Sequence, residues 1–114
     1  MEQSPLDVAG GIARLGDAEI WQEMVQDYID VCEGLITEIG NSIAAGDAQK
    51  LRQDSHAVKG SSAELLASRM AALSADLEHM GREDSLDGAE RKFTELREEF
   101  ARLVDFVRDN SISG

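Results

Sequence analysis

Ala48-Gln49-Lys50-Leu51-Arg52-Gln53-Asp54-Ser55-His56-Ala57-Val58-Lys59-Gly60-Ser61-Ser62-Ala63-Glu64-Leu65-Leu66-Ala67, in the middle of a 114-residue chain, reads as one amphipathic helix. At about 100° per residue, Ala48, Leu51, Ser55, Val58, Ser62 and Leu65 share a stripe with the i, i+3, i+7 spacing of a buried face. On the same wheel His56 lies about 140° from Leu51, with Arg52 and Lys59 at about 100° and 80°, Ala63 at about 120° and Gly60 at about 180°. The imidazole is therefore expected in solvent, between two cations and two nearly absent side chains. An interior glycine costs a helix roughly 1 kcal/mol relative to alanine, and packing against a neighbouring helix cannot explain one that faces away from the core. Gly60 thus suggests that something outside the chain comes close to His56.

An exposed imidazole with an ammonium one turn along has the make-up of a nucleophile that carries an anion. Neutral histidine is nucleophilic near physiological pH, and a ring nitrogen can take up a phosphoryl group and release it. Lys59, at i+3, shares that part of the helix surface and can offer charge-assisted hydrogen bonds to phosphate oxygens. A unit charge pair at about 4 Å is worth roughly 1 kcal/mol in water and about 4 at an effective dielectric of 20. Lys59 should therefore matter more once a docked partner excludes water. On this reading His56 is the phosphoryl acceptor and donor, Lys59 stabilises the phosphoryl group, Gly60 and Ala63 clear its approach, and Arg52 assists docking.

The run His56-Ala57-Val58-Lys59-Gly60-Ser61-Ser62 resembles the His-x-Leu-Lys-Gly-Ser motif of histidine phosphotransfer (HPt) domains, the relay modules of multistep phosphorelays. The likeness covers about residues 6 to 107, through Leu15-Gly16-Asp17 opening a long helix, Tyr28, Gly46-Asp47 before the motif helix and Leu77-Glu78 after it. Val58 stands for the usual Leu and keeps an apolar contact, whereas Leu66 stands where the family often has Gly, which bears on where the motif helix ends. The resemblance implies two partners: the receiver domain of a hybrid sensor kinase, which donates from its aspartate to a nitrogen of His56, and a response regulator receiver, which accepts. It also implies that the divalent metal and acidic pocket belong to the partner, so this chain needs no cofactor of its own. No Gly-rich phosphate loop is present, and autonomous kinase activity is not expected.

Composition narrows the alternatives. A 42% apolar chain of this length suits one compact domain, and one Pro with abundant Ala, Leu, Glu and Arg favours helix over strand. The net charge of −12 repels nucleic acid and anionic membrane surfaces, and makes His56, Lys59 and Arg52 a local positive spot. The single cysteine, Cys32, cannot form an internal disulfide and falls on an apolar helical face, as suits a reducing cytoplasm. With no apolar run long enough to span a bilayer and no basic-then-apolar leader, a cytoplasmic monomer is expected.

Leu6, Val8, Ile12 and Leu15 suggest a short helix, weakened by Gly10-Gly11, lying across one end of the molecule. Asp17 is placed to cap a long helix in which Trp21, Val25, Tyr28, Cys32, Leu35, Ile39 and Ile43 face inward to about Ala45, with Gly34 and Gly40 marking close helix contacts. Gly46-Asp47 supplies a terminal glycine and the next cap, forcing an antiparallel return into the motif helix. Ser68 caps a third helix through Met70, Leu73, Leu77 and Met80 to about Gly81, and Asp87 starts a last one with Phe93, Leu96, Phe100, Leu103, Val104 and Val107 inward. The expected fold is all-α: an antiparallel up-down-up-down four-helix bundle with a short extra N-terminal helix, a single domain over 1–114 with its core at about 6–109 and a disordered tail at 110–114.

Competing readings are weaker. Ser55 and Ser62 lie on the buried stripe as packing residues whose hydroxyls bond a carbonyl one turn back, and no triad context surrounds them. A His-carboxylate metal site fails because Asp54 and His56 diverge by about 200° on a helix, and His79 reads as a surface residue. Glu98 and Glu99 read as a solvated face. The rivals of another class are a helical adaptor that binds a partner without carrying phosphate, and a dimerising bundle, for which the sequence offers no extended apolar outer patch.

Overall fold

A computed structural model describes residues 4–109, and the tail expected at 110–114 lies outside the described residues. The chain forms α1 (Val8–Leu15), α2 (Ala18–Ala45), α3 (Ala48–Glu64), α4 (Ser68–Arg82) and α5 (Ala89–Asp109), with no strand among the described residues. Asp17 starts α2 as its sequence position requires, its carboxylate accepting from the amides of Glu19 and Ile20 at 2.8 and 3.2 Å. Gly46 takes the left-handed conformation (φ 70°) that closes α2, and the Asp47 amide reaches back to the Ser42 carbonyl at 2.8 Å. Asp47 then caps α3 through the Lys50 amide.

Cross-helix pairs show the helix directions. Between α2 and α3, Tyr28 meets Ser62 and Glu38 meets Lys50; between α3 and α4, Lys59 and His56 meet Glu78 while Arg52 meets Gly81; between α4 and α5, Arg69 meets Glu99 and Asp76 meets Lys92. In each set one residue number falls as the other rises, so neighbours run antiparallel. With α2 also packed on α5, the four long helices close a ring. α1 packs on α2 and lies over the end where α3 turns into α4, its Arg14 donating to the Glu64 carbonyl at 3.0 Å.

Val25, Cys32, Ile39, Leu51, Val58, Met70, Leu77, Leu96 and Leu103 fill the interior. Each fully buried aliphatic side chain contributes roughly 1.5–3 kcal/mol of transfer free energy, so the inward stripes read from the sequence are what hold the helices together. Burial, opposed by a hydrogen bond with Tyr28, pushes the Cys32 thiol up to about 11, which leaves it an unreactive small apolar group. The glycine pair of α1 has a reason the sequence did not offer, since a Cβ at Gly11 would run into the Trp21 indole.

Several expectations are corrected. The motif helix ends at Glu64, not Ala67: Leu66 turns left-handed (φ 60°), and the Ala67 amide bonds the Ser62 carbonyl at 2.8 Å. A β-carbon in that conformation costs about 1–2 kcal/mol, the reason a glycine suits the position better. α4 begins on Ser68 itself, with Ala67 before it and no side-chain cap, and α5 begins at Ala89 after Gly88 at φ 82°, not at Asp87. Gly40 marks a close contact, with Phe93 2.7 Å from where its Cβ would be, but Gly34 faces open space. Neither serine of the stripe bonds back along its helix: Ser62 bonds across to Tyr28, and the buried Ser55 hydroxyl has no partner among the described residues. Glu99 is buried, not solvated, and is gripped by Arg102 through Nε at 3.0 Å and Nη2 at 3.2 Å.

Candidate functional site

α3 carries the site and its two neighbours set its position. On the α2 side the buried Tyr28 hydroxyl and Ser62 Oγ lie 2.7 Å apart, which pins the register of the two helices at the level of the motif. Burial drives the Tyr28 phenol far above its ordinary value, so it stays protonated and can donate. On the α4 side the contact is closer still: a Cβ at Gly81 would stand 2.7 Å from the Ala48 carbonyl and 2.8 Å from the Arg52 amide. Only a hydrogen fits there, and this approach brings residue 78 of α4 within reach of residues 56 and 59 of α3.

The site is built around the Glu78 carboxylate, whose side chain is 7% exposed. Oε2 lies 2.9 Å from His56 Nδ1 and 3.1 Å from Arg82 Nη2, and Oε1 lies 2.6 Å from Lys59 Nζ. The Lys59 hydrogen bond, helped by that of His56 and opposed by burial, holds Glu78 below the ordinary glutamate value of 4.5. An ionised carboxylate only accepts, so the nitrogen facing it must carry the proton. The neutral ring then has its hydrogen on Nδ1 and its lone pair on Nε2, which takes no partner among the described residues. The imidazole is 66% exposed and fixed at one nitrogen while open at the other.

The structure brings together His56, Lys59 and Arg52 of the residues named from the sequence. His56 and Lys59 share a carboxylate, and Arg52 lines a groove of about 420 Å³ with Gln53, His56, Glu78 and Arg82. Gly60 and Ala63 are exposed on the outer surface of α3, and nothing lies within 4 Å of where a Gly60 Cβ would be. Lys59 is not a waiting ammonium, as its sequence position implied, but is already bonded to Glu78. No group of three or more His, Cys, Asp or Glu side chains is placed to hold a metal ion among the described residues, and His79 is exposed.

Glu78 and Arg82 were not legible as site residues. A signal did exist: Glu78 falls on the inward stripe of α4 among Met70, Leu73, Ser74, Leu77 and Gly81. A carboxylate on an apolar stripe is costly unless paired, and its cations had to come from one turn along or from another helix.

The sequence model of the Hpt domain family matches residues 23–106. No curated protein matches the chain significantly. Among solved structures, the chain is similar to histidine-containing phosphotransfer protein B (HptB) from Pseudomonas aeruginosa PAO1, at 23% identity, a TM-score of 0.82, and 95% of this chain over 96% of that one.

Proposed function

This chain belongs to the Hpt domain family, and from that premise we propose that it is a phosphocarrier of a two-component relay, taking a phosphoryl group on His56 Nε2 from a receiver-domain aspartate of a hybrid sensor kinase and passing it to the receiver of a response regulator. The observation that carries this reading is the Nδ1 contact to Glu78 at 2.9 Å, which leaves the nucleophilic lone pair on the nitrogen that faces solvent. Family membership supplies the class of partner: Hpt domains work with receiver domains. No helix among the described residues is long and apolar enough to cross a membrane.

Nε2 attacks the phosphorus of the acyl phosphate as the bond to the aspartate oxygen breaks, and the aspartate leaves with the electron pair. The hydrogen stays on Nδ1, so the phosphorylated ring is an imidazolium beside the Glu78 carboxylate, and no proton has to be lost in the step. Return transfer to a second aspartate reverses this. The chain contributes mainly positioning and electrostatics: Glu78 orients the ring and balances its charge, Lys59 turns to the phosphoryl oxygens, and Gly60 and Ala63 let the partner's surface approach. Arg52, at the groove beside His56, offers the partner a positive contact on an otherwise acidic protein.

The test is transfer from receiver domains charged with acetyl phosphate. Wild-type protein should acquire an acid-labile, base-stable phosphate, and His56→Gln should acquire none while remaining helical. Phosphate persisting in His56→Gln would defeat the assignment of His56. Receivers that bind wild type and His56→Gln alike, without loading either, would show an adaptor instead.

A further inference from the structure

Glu78 has three cationic or hydrogen-donating partners, and they divide unequally between its oxygens. His56 and Arg82 both meet Oε2, whereas Lys59 meets Oε1, for which no other partner is present among the described residues. If Lys59 is to serve a phosphoryl group on His56 it must leave a contact of 2.6 Å with a carboxylate whose side chain is only 7% exposed. Leaving a buried carboxylate oxygen without a charged partner is costly. Arg82 stands on the same helix one turn beyond Glu78, its side chain 55% exposed, with one guanidinium nitrogen already 3.1 Å from Oε2. A guanidinium is a planar fork that can span both oxygens of a carboxylate, which an ammonium cannot.

We propose that Arg82 is a positioning residue for the transfer reaction: it takes over the Glu78 carboxylate when Lys59 swings to the phosphoryl group, and so sets how readily Lys59 is released. This rests on the reading of His56 as the phosphoryl carrier. Arg82 touches no phosphoryl oxygen in this scheme. Its effect runs through Glu78 to Lys59, which makes it dependent on Lys59 being present. A residue that only supported the bundle, or that contacted the phosphoryl group itself, would act with or without Lys59.

The experiment uses the full chain and phosphoramidate, a small-molecule donor whose P–N bond breaks with ammonia leaving as the bond to Nε2 forms. The rate of labelling is followed by ³¹P NMR for wild type, Arg82→Gln, Lys59→Ala, the double variant and His56→Gln, with circular dichroism confirming the helices in each. Arg82→Gln should slow labelling by about two- to fivefold, the scale of a partly exposed ion pair, and should have no further effect in the Lys59→Ala background. An Arg82→Gln rate equal to wild type, or the same slowing with and without Lys59, would overturn the hand-over. Label surviving in His56→Gln, or none on wild type, would instead sink the reading of His56, so the two failures are distinguishable. Should Arg82→Gln lose helicity, Arg82→Lys provides the second variant: single-point charge without the fork should give a rate between those of wild type and Lys59→Ala, and a rate equal to wild type or below that of Lys59→Ala would overturn the proposal.

Discussion

Replacing Glu78 by Gln removes the charge that faces His56 Nδ1 while keeping an oxygen that can accept from it. A phosphorylated ring that retains its Nδ1 hydrogen is a cation, with Nδ1 2.9 Å from the carboxylate; a unit pair whose charge centres are about 4 Å apart is worth about 1 kcal/mol in water and about 4 at an effective dielectric of 20. The imidazole is 66% exposed, so solvent screening selects the lower value. One kcal/mol is roughly fivefold in an equilibrium constant. The same substitution also releases Lys59 from its 2.6 Å contact, and a liberated ammonium favours the phosphoryl group by a comparable amount. The two effects oppose each other in the single variant, so the comparison belongs in a Lys59→Ala background. There, Glu78→Gln should lower the equilibrium share of phosphohistidine against a phosphorylated receiver by about fivefold, and the forward rate by about two- to fivefold because only part of the ring charge has developed in the transition state. Phos-tag electrophoresis of single-turnover mixtures reads both quantities. An unchanged equilibrium in a folded double variant would refute the role assigned to the carboxylate.

Four further outcomes follow from the same structure. Because the folded protein holds Glu78 below 4.5, the unfolded chain binds its proton first on acidification, and the stability this carboxylate contributes is present above 4.5 and lost as pH falls through the lower, folded-state value; urea midpoints of wild type and Glu78→Gln should differ at pH 7 and converge toward pH 3. Gly81→Val forces a side chain into the Ala48 carbonyl and Arg52 amide, which should cost about 1–3 kcal/mol, visible as a lowered thermal midpoint, and should slow phosphoryl uptake by separating Glu78 from His56. Tyr28→Phe leaves the buried Ser62 hydroxyl without its 2.7 Å partner, at about 1–3 kcal/mol, measurable by chemical denaturation. Gly60→Glu should leave the thermal midpoint nearly unchanged, because an added side chain meets open space, yet it should slow transfer from a receiver domain far more than labelling by phosphoramidate.

The elements and their order were legible in the sequence because helix formation and burial leave local, periodic marks. Trp21 to Ile43, Leu51 to Leu65, Met70 to Met80 and Phe93 to Val107 each carry an apolar stripe at helical spacing, and Asp17 and Gly46-Asp47 mark ends whose capping bonds lie within a turn. Where local signals were weaker the boundaries moved: Leu66 ends α3 early in a conformation that its side chain disfavours, and α5 waits for Gly88. His56, Lys59 and Gly60 were legible for the same reason as the stripes, since their relative directions on one helix follow from sequence separation alone.

What lies between helices was not legible, because a carboxylate's meaning depends on what stands opposite it. Glu99 reads as surface until Arg102 and the packing of α4 enclose it, and Glu78 reads as one acidic residue among many until Gly81 lets α4 approach α3. By itself the sequence determined which helices form, which faces they bury and that the His56 imidazole stands in solvent beside Lys59 and Gly60. Only the tertiary structure decided which nitrogen of that imidazole is held and where the Lys59 ammonium rests, since both depend on distances across a helix pair that no spacing along one chain segment encodes.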